Sequence, residues 1–183
     1  MKNLLLLFVF FPLISFSQNV DIPDANFKAY LVENREINTN GDNEIQLSEA
    51  SVFKGTIDCS SKKIINLKGI EAFTALTSLH CEFNNQLTAI DVSKNTALTS
   101  LWCGYPLTSL DVSNNTALTT LFCSDTQLTS LDVSNNTALT TLICSGNQLT
   151  TLDVSNNTAL TTLRCRGNQF NCRKLKKPSG LKQ

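Results

Sequence analysis

The chain has 183 residues, enough for one domain with short extras. Its formal net charge is zero, but residues 18–163 carry seven Lys/Arg against 15 Asp/Glu, while residues 164–183 carry seven Lys/Arg and no acid. One His and no glycine-rich loop of the phosphate-cradling kind leave little from which to assemble a catalytic site, so an enzyme is not expected.

Residues 1–17 read as a signal peptide. Lys2 gives the positive end, Leu4 to Ile14 an apolar core interrupted by Pro12, and Ser15-Phe16-Ser17 the small residues before a cut at Gln18. The apolar run is shorter than the ~20 residues that span a bilayer. No later stretch is apolar enough to cross one, so no transmembrane segment is expected after cleavage. The expected location is secreted or cell surface, which argues against nucleic acid as a partner.

Residues 18–55 read as an N-terminal cap, with Phe27, Tyr30 and Leu31 at helical spacing. A repeat stack needs such a cover over its first core. Within the cap, Asn38, Asn40, Asp42, Glu44 (through its carbonyl), Gln46 and Glu49 fall on the 1, 3, 5, 7, 9 and 12 positions of a calcium loop, with Ile45 at position 8. Position 1 is Asn rather than Asp, and position 6 is Asn43 rather than Gly. The expectation is a weak structural calcium, against the alternative of a polar turn ending in a helix cap.

Residues 56–170 are built on a repeat of about 21 residues, clearest as LTTLICSGNQLTTLDVSNNTA over 139–159, with other copies starting at Leu76, Leu98, Leu118 and Leu160. A degenerate first copy carries Ile57, Cys59, Ile64, Leu67, Ile70 and Phe73. A period in the twenties means that each unit buries its apolar face only by stacking on its neighbours. L-x-x-L-x-C has the alternation of a short strand, Leu and Cys inward and the residue between them outward. The following x-x-N is a turn, occupied at Asn147 and Asn168. L-T-x-L-D-V-S returns, and S-x-N-T-A-L leads to the next strand through one short helical turn capped by the Ser.

These copies match L-x-x-L-x-L-x-x-N-x-L with Cys at the third apolar strand position. The chain therefore resembles the leucine-rich repeat family in its short bacterial form, and within it the secreted internalin-like proteins of the Cys-containing L-D-V-S-x-N-T-A-L type. The resemblance implies an α/β solenoid: a parallel sheet on one face, mostly β and coil elsewhere, and a short helical N-terminal cap. It also implies a non-catalytic binding module. Relatives of that type often add a C-terminal surface-sorting domain, whereas residues 171–183 here read as a basic, solvated tail (Arg173, Lys174, Lys176, Lys177, Lys182).

Cys59, Cys81, Cys103, Cys123, Cys144 and Cys165 recur once per coil and read as one buried position replicated into a ladder of free thiols. Strands ~4.8 Å apart suit a disulfide poorly, since its Cβ atoms prefer ~3.8 Å. Cys172 lies outside the ladder, either reactive or paired with Cys165. Asp91, Asp111, Asp132 and Asp153 form a second column. Each is expected to accept local hydrogen bonds and face water rather than hold cations.

The informative column is the outward residue between Leu and Cys: Asp58, His80, Trp102, Phe122, Ile143, Arg164. Other strand positions barely change between copies, and this one changes every time. Trp102, Phe122 and Ile143 form an apolar stripe flanked by His80 and Arg164, with Glu82, Phe83 and Tyr105 beside it. Exposed contiguous aromatics point to a partner, and Trp, Tyr and Arg dominate binding hot spots. The expected ligand is an extracellular protein, or a cell-surface glycan since aromatics also stack on sugars. A structural spacer or adhesin segment with no dedicated site is the alternative. Ice binding by the Thr pairs (Thr119-Thr120, Thr140-Thr141, Thr161-Thr162) is a remoter one.

Overall fold

The computed structural model describes residues 18–172 and Leu175. The expected signal segment, 1–17, and the tail residues Arg173, Lys174, Lys176, Lys177 and Lys182 lie outside the described residues.

Six three-residue strands form one parallel sheet in chain order: β1 Thr56–Asp58, β2 Ser78–His80, β3 Ser100–Trp102, β4 Thr120–Phe122, β5 Thr141–Ile143 and β6 Thr162–Arg164. Each pairs with the next in unbroken register, Leu79 on Leu101, Leu101 on Leu121, Leu121 on Leu142. Between strands the chain runs through turns, giving a solenoid of about five coils, mostly strand and coil. The register follows from the constant 12-residue spacing between the returning Asp and the next Cys. The strand Leu and Cys, the return Leu and the Val all point to one interior, so slipping a coil by one residue would expose its whole apolar set.

That interior runs the length of the stack. From Ile57 to Cys165, every ladder cysteine and Leu79, Leu101, Leu121 and Leu142 are buried, as are Val92, Val112, Val133 and Val154. A buried Leu or Val contributes roughly 1.5–3 kcal/mol, so burial is the main term holding the coils together. Among the strand leucines only Leu163, in the last strand, is half-exposed; on the returning arm Ile90 and Leu110 are half-exposed too.

The cap is built as the helical spacing suggests. α1 spans Ala25–Glu33 and buries Phe27 and Leu31. α2 is one turn, Leu47–Ala50. Asp24 ties α1 to the first coil: Oδ1 caps the helix through Asn26 N and Phe27 N, while Oδ2 accepts from Ile65 N and Asn66 N. Burial raises this carboxyl, but the four backbone donors outweigh burial and hold it below the usual carboxylate range. Gly69, at φ 102°, lies against the segment before α1, where a Cβ would come within 2.6 Å of Ile22. Only glycine fits there.

The back of the coil differs from expectation. S-x-N-T-A-L forms no helical turn. Each copy makes two successive tight turns, as in Asn136 N to Val133 O and Leu139 N to Asn136 O. The physical reason is the second Asn. Asn95, Asn115, Asn136 and Asn157 are fully buried, and each Nδ2 donates to two carbonyls of the coil before it. An inward Asn side chain that pins the preceding coil leaves the backbone no room to wind into a helix. The Oδ1 atoms of these four have no hydrogen-bond partner among the described residues.

The front turns carry a shorter asparagine column. Asn147 and Asn168 each donate to two cysteine carbonyls and accept a backbone N–H from the coil below. Asn84 does the same at the second coil. Thr126 takes the position once, bonded to Cys123 O and to Asn147. In the third coil it is Pro106, after a cis Tyr105–Pro106 bond.

Candidate binding surface

The outward column assembles as the alternation implies. Asp58 pairs with His80, His80 with Trp102, Trp102 with Phe122, Phe122 with Ile143, and Ile143 with Arg164. The Trp102 and Phe122 rings stack, centroids 5.2 Å apart and planes 16° from parallel. His80 leans on the other face of Trp102, at 5.0 Å and 38°. A run of three rings at strand spacing is thus continuous, with Ile143 and exposed Arg164 extending it.

The rings are held from one side by a hydroxyl column that the sequence reading did not single out. Trp102 Nε1 donates to Ser100 Oγ at 3.1 Å, and Ser78 Oγ lies 3.2 Å from His80 Nε2. The signal was present as the small S/T residue two before each outward position. Phe83 and Tyr105 occur where expected, on the front turns, 72 % and 53 % exposed. Phe83 has φ 58°, a costly backbone for an aromatic residue.

Glu82 departs from expectation. It is only 9 % exposed, not an outward rim residue. Its Oε2 accepts from Ser60 Oγ at 3.1 Å, and its stem lies against Gly104 of the next coil. The column it belongs to is Ser60, Glu82, Gly104, Ser124, so a long side chain among small ones folds down along the stack.

The aspartate column behaves as local chemistry. Asp91, Asp111, Asp132 and Asp153 are exposed, and each Oδ1 accepts the backbone N–H two residues on. The backbone and side chain of Ser93 lower the Asp91 carboxyl; Ser113 and Ser134 do likewise for Asp111 and Asp132. The Thr rows are also used internally: Thr99, Thr119, Thr140 and Thr161 each donate their hydroxyl to the carbonyl one coil below. That leaves half of each Thr pair unavailable to an ice face.

In the cap loop, the proposed calcium ligands bond one another and the backbone. Glu49 Oε1 accepts from Thr39 N, Thr39 Oγ1 and Asn40 N, and Oε2 from Gln46 N. Asp42 accepts from Glu44 N, Asn40 Nδ2 and Gln46 Nε2. Asn38 Oδ1 accepts from Gly41 N, and its Nδ2 donates to Val32 O and Asp42 O. Donor hydrogens therefore point at the oxygens a cation would need, and Glu49 completes a capping box. The side chains fit a self-satisfied turn better than an ion.

The cysteine column is a thiol ladder with one exception. Cys59, Cys81, Cys103, Cys123 and Cys144 are free and buried, and Cys165 is disulfide-bonded to Cys172. Of the two readings of Cys172, pairing holds. Sγ of Cys59 donates to His80 O and Sγ of Cys81 to Trp102 O, both at 3.4 Å.

Residues 40–165 match the family model described as the Endo-beta-N-acetylglucosaminidase EndoS LRR domain. The chain belongs to the leucine-rich repeat family. Over 75 residues it is 43 % identical to Internalin J of Listeria monocytogenes serotype 4b (strain F2365), covering 40 % of this chain and 8 % of that protein. Among solved structures it is similar to the functional domain of Internalin J, described as including a cysteine ladder, with 26 % identity over 91 % of this chain and 49 % of that one, TM-score 0.44. It is also similar to a leucine-rich repeat protein of Leptospira interrogans, with 20 % identity over 70 % of this chain and 34 % of that one, TM-score 0.59. The leucine-rich repeat chain described here spans less than half the length of each of these relatives. Among the described residues, no helix is long and apolar enough to cross a membrane.

Proposed function

We propose that this chain is an exported, non-catalytic leucine-rich repeat module that binds an extracellular protein through the outward strand column. The observation that carries the reading is the ring run His80–Trp102–Phe122, continued by Ile143 and Arg164 beside the column of small Ser and Thr residues that precedes each strand Leu or Ile. Aromatic rings held rigid before binding lose little freedom when a partner arrives. Kinship with the internalin group and the acidic, uniform remainder of the body support the same view.

The test is a pull-down from host or neighbouring-cell surfaces with the mature chain, beside Trp102→Ala/Phe122→Ala. Losing a hot-spot aromatic costs ~2 kcal/mol or more in binding, whereas surface changes usually alter folding by within ~0.5 kcal/mol. The stacked rings lose each other too, so melting should fall only slightly. Protease treatment of the bait surface should abolish capture, and glycosidase treatment should not; the reverse result assigns the face to a glycan. A double mutant that folds and captures normally puts the spacer reading ahead, in which the rings merely satisfy one another. N-terminal sequencing of the exported chain should begin at Gln18.

A further inference from the structure

We infer that the Cys165–Cys172 disulfide is a redox clasp on the last coil. Closed, it holds β6 and sets Arg164 in the outward row; opened by a dithiol, it lets β6 fray and takes Arg164 out of that row. The inference rests on the binding-face reading above and names a regulation of that face.

The earlier thiols show what Cys165 lacks. Sγ of Cys59, Cys81 and Cys103 donates to a carbonyl of the next coil, that of His80, Trp102 and Phe122, at 3.4, 3.4 and 3.6 Å. The backbone N–H of each ladder cysteine from Cys59 to Cys144 also donates to that next coil, ending with Cys144 N on Arg164 O. Cys165 follows the last strand of the sheet, so among the described residues no next strand offers it a carbonyl. Its sulfur turns instead to Cys172, seven residues on. A covalent bond stands where each earlier coil has a neighbour.

The packing of that end is thin. β6 pairs on one side only, with β5, whereas β2 to β5 each have two paired neighbours. Leu163 is half-exposed, while Leu79, Leu101, Leu121 and Leu142 have no exposed surface. Beyond β6, Phe170, Cys172 and Leu175 pack against the core, each only partly buried. Asn168 Nδ2 and Gln169 N tie the chain back to Cys144 O, Cys165 O and Leu149 O, and the disulfide secures the apolar residues around it. A cross-link over so short a loop favours the closed form on the order of a hundredfold. Arg164 rides on β6, so it leaves the row when that strand frays. Cys172 is partly exposed and Cys165 is not exposed at all, so a thiolate of the dithiol attacks Cys172 Sγ. The bond to Cys165 breaks and the Cys165 sulfur takes a proton. The second thiolate of the dithiol then displaces Cys172, which leaves as a thiol, and the dithiol closes into its own disulfide. Cys59, Cys81, Cys103, Cys123 and Cys144 are already free thiols, so reduction acts at this end alone.

Amide hydrogen exchange read by mass spectrometry tests the clasp with no partner present. The mature chain is compared with the same chain after dithiothreitol, where alkylation at Cys172 confirms that the bond is open, and with Cys172→Ser. Exchange over residues 160–170 should be ~tenfold faster or more in both open forms. Exchange from Leu76 to Val133 should be unchanged, which also shows that the variant is folded. In the cell-surface pull-down, Cys172→Ser should capture no more partner than Arg164→Ala of the closed chain. Equal exchange over 160–170 in open and closed forms, or protection lost along the whole solenoid, overturns the clasp. Parent-level capture by a frayed Cys172→Ser overturns its regulation of the face. If the open forms fray while the closed parent captures nothing, the binding-face reading falls and the clasp on β6 stands. If exchange is the same in every form while Trp102→Ala/Phe122→Ala still loses its partner, this inference alone falls.

Discussion

Raising the pH should dismantle the solenoid through its cysteines. Burial pushes Cys59 and Cys144 up to about 12, and holds Cys81, Cys103 and Cys123 well above the ordinary thiol value. In the unfolded chain each thiol titrates near about 8.5. Below that pH the contribution of the buried neutral thiols is fully present. Above it the unfolded chain sheds protons that the folded chain keeps, so stability falls as pH rises, up to the folded value. The slope is ~1.4 kcal/mol per pH unit for each thiol, or roughly 7 kcal/mol per unit for the five together. Against a typical domain stability of ~5–15 kcal/mol, cooperative unfolding is expected at about pH 9.5–10.5. Urea titrations followed by circular dichroism in small pH steps, without reductant so that Cys165–Cys172 stays closed, measure the slope directly. Cys123→Ala should lower stability at pH 7 but flatten the alkaline slope by about a fifth. A stability that stays level to pH 10.5, or an unchanged slope in Cys123→Ala, would refute the reasoning.

Asp24→Ala should cost about 2–4 kcal/mol, because it removes a helix cap and orphans Ile65 N and Asn66 N. Its folded carboxyl is lowered, so the contribution is present above about pH 4 and lost as pH falls; acid melts should show a shallower loss in Asp24→Asn. Asn136→Ala should cost about 2–3 kcal/mol by stranding Val112 O and Asn115 O, with hydrogen exchange rising first at the neighbouring back turns. Glu49→Ala should lower the melting temperature equally with calcium and with chelator, since four donors lose their acceptor. A calcium-dependent melting temperature that vanishes in this variant would restore the ion reading.

Much of this was legible in the chain. Two periods, one of two residues within a strand and one of about 21 between coils, set which side chains point inward and which stand beside one another, so the ladder of Cys81, Cys103 and Cys123 and the run His80, Trp102, Phe122 followed directly. The back turns did not, because S-x-N-T-A-L has no strong propensity and the burial of Asn136 depends on carbonyls one coil away. Glu82 was placed at the rim because its burial depends on neighbours a full coil away, Ser60 on one side and Gly104 on the other, each 22 residues distant. The cap loop was ambiguous for a chemical reason: oxygens spaced to hold calcium are also spaced to accept backbone N–H groups in consecutive turns.

The parity of the strand has an evolutionary consequence. Each strand offers an outward position that can change without touching the interior, and neighbouring positions lie one strand spacing apart. Six of them, from Asp58 to Arg164, form a row about 24 Å long. A mutation at one rewrites a single mark on this ruler. A duplicated coil inserts a new mark and shifts the rest by a fixed step, while every inward side chain meets the kind of neighbour it had before. Recognition can therefore drift, lengthen or change register in a lineage while the scaffold that displays it is kept under purifying selection.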